Sequence, residues 1–210
     1  MIRGRRSRVG VLFRALRLLH YRRSFVRTTG LLRSFRERKP VDGDGAPLPW
    51  INYPAIHLLE ERLRPELAVF EYGAGYSTLF FAARCGAVTA VEHDRSWYET
   101  VGRMAPAHVT LLYRATGPGY WDAAVETGGS FDLIVVDGME RARCLTSAVG
   151  ALSRAGVLLL DDAHREAYRS AVQGCRDAGF RTLRLAGPKP DHLTETECLL
   201  IYREGNCLGI

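Results

Sequence analysis

Short uninterrupted apolar runs recur along most of the chain: LAVFEY (67–72), AVTAVE (87–92), HVTLLY (108–113), FDLIVVD (131–137) and AGVLLLD (155–161). Each has strand length and is rich in Val, Leu and Ile. Stretches of helical periodicity lie between them, near 76–85, 95–104, 121–126, 140–152 and 164–178, and one more, PAIHLLEERL (54–63), precedes the first run with Pro54 at its start. Continuous apolar strands alternating with helices are buried on both faces, the signature of a parallel, doubly wound α/β sheet. The alternation stops at the end of the chain, where FRTLRL (180–185) and TECLLIY (196–202) follow one another with only a loop between them. Two successive strands without a helix allow the last one to run antiparallel.

The first part of the chain has a different pattern. In residues 1–39, Val9, Leu12, Phe13, Leu16 and Leu19 recur at helical spacing and arginines fill the other face, so the segment is expected to form a basic amphipathic helical arm, interrupted at Gly30. Residues 40–49 (PVDGDGAPLP) are expected to be a linker, and 50–210 the globular domain.

Charge sharpens this division. The 210-residue chain carries 29 Lys+Arg and 23 Asp+Glu, a formal +6. Thirteen of those basic residues and only one acid, Glu37, fall in 1–39, so the remainder is net acidic. An excess this localised marks an interaction segment rather than a nucleic-acid-binding domain. A secretory signal is disfavoured because no long apolar core precedes a small-residue cleavage site. The arm is then expected either to lie on an anionic membrane surface or to pack on the domain or on a second subunit of a homodimer. The five cysteines are scattered and form no Cys-x-x-Cys pair, which argues against a disulfide framework or a zinc site and places the chain in a reducing cytoplasm.

Open parallel sheets bind ligands beyond the carboxyl ends of their strands, and polar residues gather there. The first strand ends in Glu71-Tyr72-Gly73-Ala74-Gly75-Tyr76-Ser77-Thr78, the second in Glu92-His93-Asp94, the fourth in Asp137 and the fifth in Asp161-Asp162. A Gly-x-Gly turn followed about twenty residues later by a strand-end acid is the arrangement that holds a nucleoside. A dinucleotide site would have a third glycine where Thr78 stands.

The Glu-x-Gly-x-Gly pattern, the second-strand acid, Asp137 and the two closing strands together resemble the class I S-adenosylmethionine-dependent methyltransferases, over about residues 50–203. That resemblance implies a Rossmann-like seven-stranded sheet with an antiparallel last strand. It also implies a cofactor site in which Glu71, Gly73, Gly75 and Ser77 surround the methionine part, Glu92 accepts the ribose hydroxyls, His93 and Trp97 approach the adenine, and Asp137 borders the pocket. Arg114, Ala115 and Thr116 offer no clear adenine-reading residue. Gly75-Tyr76-Ser77 further resembles the catechol O-methyltransferase group, which implies a divalent metal, magnesium by the oxygen-only ligand set, on Asp137, Asp161 and Asp162. The alternative for these acids is that Asp137 shapes the pocket and Asp162 caps the helix near His164.

In that group a base stands three residues after the fourth-strand acid. Here the position is Glu140, and His164 is the rival, so the catalytic candidates are Asp137, Glu140 and His164. Arg141 and Arg143 would bind an anionic substrate or lie on the outer face of their helix. PWINYPAI (49–56) is similar to a stretch of bacterial methyltransferase-like proteins, with Trp50, Asn52 and Tyr53 forming a wall over the cofactor or serving as packing anchors. The expected activity is methyl transfer to a small-molecule hydroxyl rather than to nucleic acid, since no Asn-Pro-Pro-Tyr motif follows the fourth strand. Two alternatives stand beside it: a noncatalytic cofactor-binding module recruited through the arm, and another nucleotide-cofactor enzyme on the same sheet.

Overall fold

Phe131–Val136 shows how a continuous apolar run serves both faces of a sheet. Leu133 and Val135 enter one buried cluster with Tyr53, Ile56, Leu59, Phe80 and Phe81, while Ile134 and Val136 enter another with Tyr120, Cys144, Leu145 and Val172. Successive side chains of a strand point to opposite sides, so a strand sandwiched between helices has no position to spare for a polar group. The computed structural model describes Gly10, Arg17, Tyr21 and residues 24–210. The amphipathic pattern from Val9 to Leu19 lies outside the described residues.

Seven strands form one sheet: β1 (Ala68–Tyr72), β2 (Ala87–Glu92), β3 (Val109–Tyr113), β4 (Phe131–Val136), β5 (Leu152–Leu160), β6 (Arg181–Pro188) and β7 (Glu195–Tyr202), in the order β3-β2-β1-β4-β5-β7-β6. The pairings β1–β2, β2–β3, β1–β4 and β4–β5 are parallel, and β7 is antiparallel to both β5 and β6. The doubly wound Rossmann-like sheet with an antiparallel last strand is therefore present. The chain builds outward from β1 through β2 to β3, then returns to β4 on the other side. This reversal opens a crevice beyond the ends of β1 and β4.

The helices are α1 (Phe25–Thr28), α2 (Leu31–Glu37), α3 (Tyr53–Arg62), α4 (Tyr76–Ala82), α5 (Arg95–Met104), α6 (Pro118–Trp121), α7 (Ala123–Glu126), α8 (Arg141–Ala148) and α9 (Arg169–Asp177). Helix α3 starts one residue before Pro54. Asn52 caps it by accepting from Ala55 N at 3.0 Å, and the Asn52 amide donates to the Leu185 and Thr196 carbonyls. Asp94 caps α5 in the same way, accepting from Trp97 N at 2.9 Å. Each cap meets a donor that the first turn of a helix leaves unpaired.

Residues 31–48 pack with the domain. Leu31 and Leu48 belong to the buried cluster of α3, and the Ser34 hydroxyl donates to the Val41 carbonyl and accepts from Val41 N. Asp42 folds the acidic stretch into a turn, its Oδ1 accepting from Asp44, Gly45 and Ala46 N. The segment expected to be a linker is ordered chain, with Val41 and Pro47 bridged.

Candidate functional site

The crevice at the β1/β4 reversal is a cleft of about 620 Å³. Gly73, Ala74, Gly75, Tyr76 and Ser77 line it from β1, Glu92, His93 and Trp97 from β2 and α5, and Asp137, Gly138, Met139 and Arg141 from β4 and α8; Pro40 and Trp50 border its mouth. Every residue expected to hold a cofactor except Glu71 is in this wall, and Glu71 lies fully buried just beneath it.

The glycine turn has two different constraints. Gly73 has φ 89°, and a Cβ there would stand 2.8 Å from Gly138 Cα. Gly138 is packed more tightly still, for its Cβ would meet Tyr120 Oη at 1.9 Å and Gly73 N at 2.9 Å. The turns after β1 and β4 thus touch glycine to glycine. Gly138→Ala should force Tyr120 or the Gly73 turn aside and destabilise the protein by about 2 kcal/mol, read by denaturant unfolding; a loss below about 0.5 kcal/mol would contradict the packing. Gly75 is unlike them: its backbone is extended, and a Cβ would meet only Trp97 and Ser77 at ordinary contact distance. The fold itself does not need a glycine there, and the absence of a side chain leaves the backbone open to the cleft.

Two buried acids organise the turn. Glu92 Oε1 accepts from His93 N and Asp94 N, both at 2.7 Å, and Oε2 accepts from Ala74 N at 3.1 Å. His93 Nδ1 also lies 2.9 Å from Oε1, so the acceptor position left for a ligand is on Oε2, which takes only the Ala74 amide. The carboxylate therefore orients the turn as well as facing the cleft. Trp97 fastens the same turn from the other side, its Nε1 donating to Ala74 O at 2.7 Å. Below them, Thr78 donates to Glu71 Oε2 at 2.5 Å and accepts from Gly75 N at 2.9 Å, while Glu71 Oε1 has no partner. Burial, opposed by the Ser77 and Thr78 hydroxyls and reinforced by the Glu92 charge, pushes the Glu71 carboxyl up to about 7.

Asp137, Asp161 and Asp162 do converge, as the sequence led us to expect, but they converge on the chain's own cations. Arg141 NH2 lies 2.8 Å from Asp137 Oδ1 and its NH1 lies 3.3 Å from Asp161 Oδ2. Lys189 Nζ donates to Asp161 Oδ2 at 2.7 Å and to Asp162 Oδ1 at 2.8 Å. Arg141 also grips the Gly138, Asp137 and Asp161 carbonyls, which locks its fork in place. The expected magnesium site is not supported: among the described residues no group of three or more His, Cys, Asp or Glu is arranged to hold a metal. The positive charge such an ion would supply is already provided by Arg141 and Lys189. The capping alternative for Asp162 fails too. It has φ 52° and its second oxygen accepts from Arg165 at 2.7 Å instead of from a helix N–H.

The cluster sets its own electrostatics. Burial first, then the Asp161 charge, hold the Asp137 carboxyl well above the usual carboxylate range despite Arg141 and Lys189. Asp162 feels burial as well, but its hydrogen bond to Lys189 and the charges of Lys189 and Arg141 bring it below that range.

The remaining candidates lie elsewhere. Glu140, at φ 49°, turns away to accept from Gly117 N at 3.0 Å, tying the loop after β3 to the turn after β4. His164 is exposed in a separate depression with Arg165, Arg169 and Glu197. Neither lines the cleft, so of the three catalytic candidates only Asp137 does. Trp50 lines the mouth and donates to Asp191 Oδ1 at 3.0 Å, whereas Tyr53 is a core residue edge-on to Phe25. Arg141 is not on an outer helix face; only 12% of its side chain is exposed. Arg143 stacks its guanidinium over Trp121.

No protein-family model matches the chain, and no curated protein does. Solved structures do resemble it. A methyltransferase from Pyrococcus furiosus is 18% identical with a TM-score of 0.54, over 90% of this chain and 98% of that one. A methyltransferase-like protein from Silicibacter pomeroyi is 20% identical with a TM-score of 0.53, over 74% and 89%. A precorrin 8w decarboxylase from Methanobacterium thermoautotrophicum is 22% identical with a TM-score of 0.51, over 70% and 86%. The chain has the fold of these proteins. At such identities the likeness carries the fold and not the chemistry.

Proposed function

We propose that the chain is an S-adenosylmethionine-dependent methyltransferase that holds its cofactor in the β1/β4 cleft and acts on a hydroxyl of a small molecule. The observation that carries this reading is the Gly75 cradle, an open backbone approach in a turn tied to two buried acids, to Glu92 through the Ala74 amide and to Glu71 through the Thr78 hydroxyl. A cationic sulfonium suits such a wall. The pyrophosphate of a dinucleotide does not, because among the described residues the one Lys or Arg lining the cleft, Arg141, is already engaged by Asp137 and Asp161.

The bound cofactor would supply an activated methyl group, so the protein's work is alignment and proton removal. Glu92, through the Ala74, His93 and Asp94 amides, fixes the turn against which the nucleoside lies. Asp137 is the acid placed to take the hydroxyl proton, and its carboxyl, raised by burial and by Asp161, is a stronger base than an exposed aspartate. Arg141 positions it. Trp50 and Met139 at the mouth would cover the acceptor and exclude water.

Calorimetric titration tests the reading. S-adenosylmethionine and S-adenosylhomocysteine should both bind one per chain and NAD should not; silence from both sulfur ligands would sink it. Turnover should then appear as S-adenosylhomocysteine released only when a hydroxylated small molecule is supplied.

A further inference from the structure

We propose that the α1–α2 segment is a docking surface for anionic phospholipid, which sets the mouth of the cleft against the membrane interface. Four of the exposed large apolar side chains fall within fifteen residues: Tyr21, Phe25, Leu32 (49% exposed) and Phe35 (45%). On α2 the opposite side is committed to the fold, since Leu31 and Ser34 are buried. Leu32, Phe35 and Arg36 stand three and four residues apart and share the outward face. Arg38 and Lys39 continue it, both exposed.

Apolar side chains flanked by arginine and lysine fit the boundary between acyl chains and anionic headgroups. Residues 24–39 hold five basic side chains against the single acid Glu37, which is paired with Arg33 at 2.7 Å. The nearby acids Asp42, Asp44 and Glu60 line one depression together with Arg27, and neither Arg36 nor Lys39 is among its lining residues. Because the rest of the chain is net acidic, an anionic surface would repel it and attract only this end. The segment leads directly into Pro40, which lines the cleft beside exposed Trp50. An RNA backbone would be satisfied by the basic groups alone and leaves Leu32 without a role.

The test uses the full chain and sedimenting vesicles of equal parts phosphatidylglycerol and phosphatidylcholine, against phosphatidylcholine alone. Binding should require the anionic lipid and weaken with salt. Leu32→Ser/Phe35→Ser and Arg36→Glu/Lys39→Glu should each lower the partition coefficient by about tenfold or more, with melting temperatures unchanged because all four side chains are exposed. Undiminished partitioning of the serine variant overturns the proposal. So does binding of single-stranded RNA that outcompetes the vesicles and ignores the serine substitutions, or a lipid-free dimer that those substitutions dissolve.

Discussion

Glu92→Ala is expected to weaken S-adenosylmethionine binding by about a hundredfold. The loss has two physical sources. A carboxylate facing the ribose disappears, and hydrogen bonds to a charged group contribute about 1.5–3 kcal/mol each. In addition, the Ala74, His93 and Asp94 amides lose the acceptor that holds the glycine turn open. Glu92→Gln separates the two: its remaining carbonyl oxygen keeps part of the amide cradle but not the charge, so its affinity should fall between wild type and alanine. Calorimetric titration of the three proteins reads this directly. An alanine variant within about threefold of wild type would remove Glu92 from the site.

What the sequence made legible were the positions that a strand places by itself. The carboxyl ends of parallel strands lie at the crevice, so Glu71, Glu92, Asp137 and Asp161 were found from the apolar runs that carry them there, Glu92 and Asp137 in the cleft wall and Glu71 and Asp161 buried behind it. The two successive closing strands gave away the antiparallel β7 for a similar reason, since no helix was available for a crossover. Positions set by loops and helix starts were not legible. Lys189 reaches Asp161 from the β6–β7 loop, 28 residues along the chain, and no local pattern announces that meeting. Arg141 reads as a helix-face residue because periodicity does not show that the first turn of α8 sits over the ends of β4 and β5.

The error on the metal follows from the same limit. Three converging carboxylates are correctly inferred to need positive charge, but the sequence does not say whether an ion or a side chain supplies it. Glu140 became a candidate only by the resemblance, as the residue three after the fourth-strand acid; in the structure it has a left-handed φ and accepts from Gly117 N, a loop contact that no local pattern announces. Gly138 carried a usable signal, a glycine directly after a strand-end acid, and the physical reason for it is the Tyr120 hydroxyl.

Glu71→Gln is expected to stabilise the ligand-free protein at alkaline pH, by about 3 kcal/mol once Glu71 is fully ionised in the wild type. The carboxyl is fully buried, one of its oxygens has no partner, and its folded-state pKa is about 7 against an ordinary 4.5. Below pH 4.5 it is neutral in both folded and unfolded chains and costs nothing. Between 4.5 and 7 the folded chain holds a proton that the unfolded chain has released, so stability falls as pH rises, and above 7 the full penalty stands. Glutamine carries no such charge and can still accept from Thr78. Melting temperatures of the two proteins should therefore coincide near pH 4 and separate by several degrees at pH 8.5, the glutamine variant melting higher. Parallel curves across that range would mean that Glu71 does not titrate inside the fold. The same substitution should weaken S-adenosylmethionine more than neutral S-adenosylhomocysteine at pH 8.5, because only the sulfonium is attracted by the ionised acid. Relief of this buried carboxylate by the proposed cationic cofactor would account for the cost that the empty protein carries.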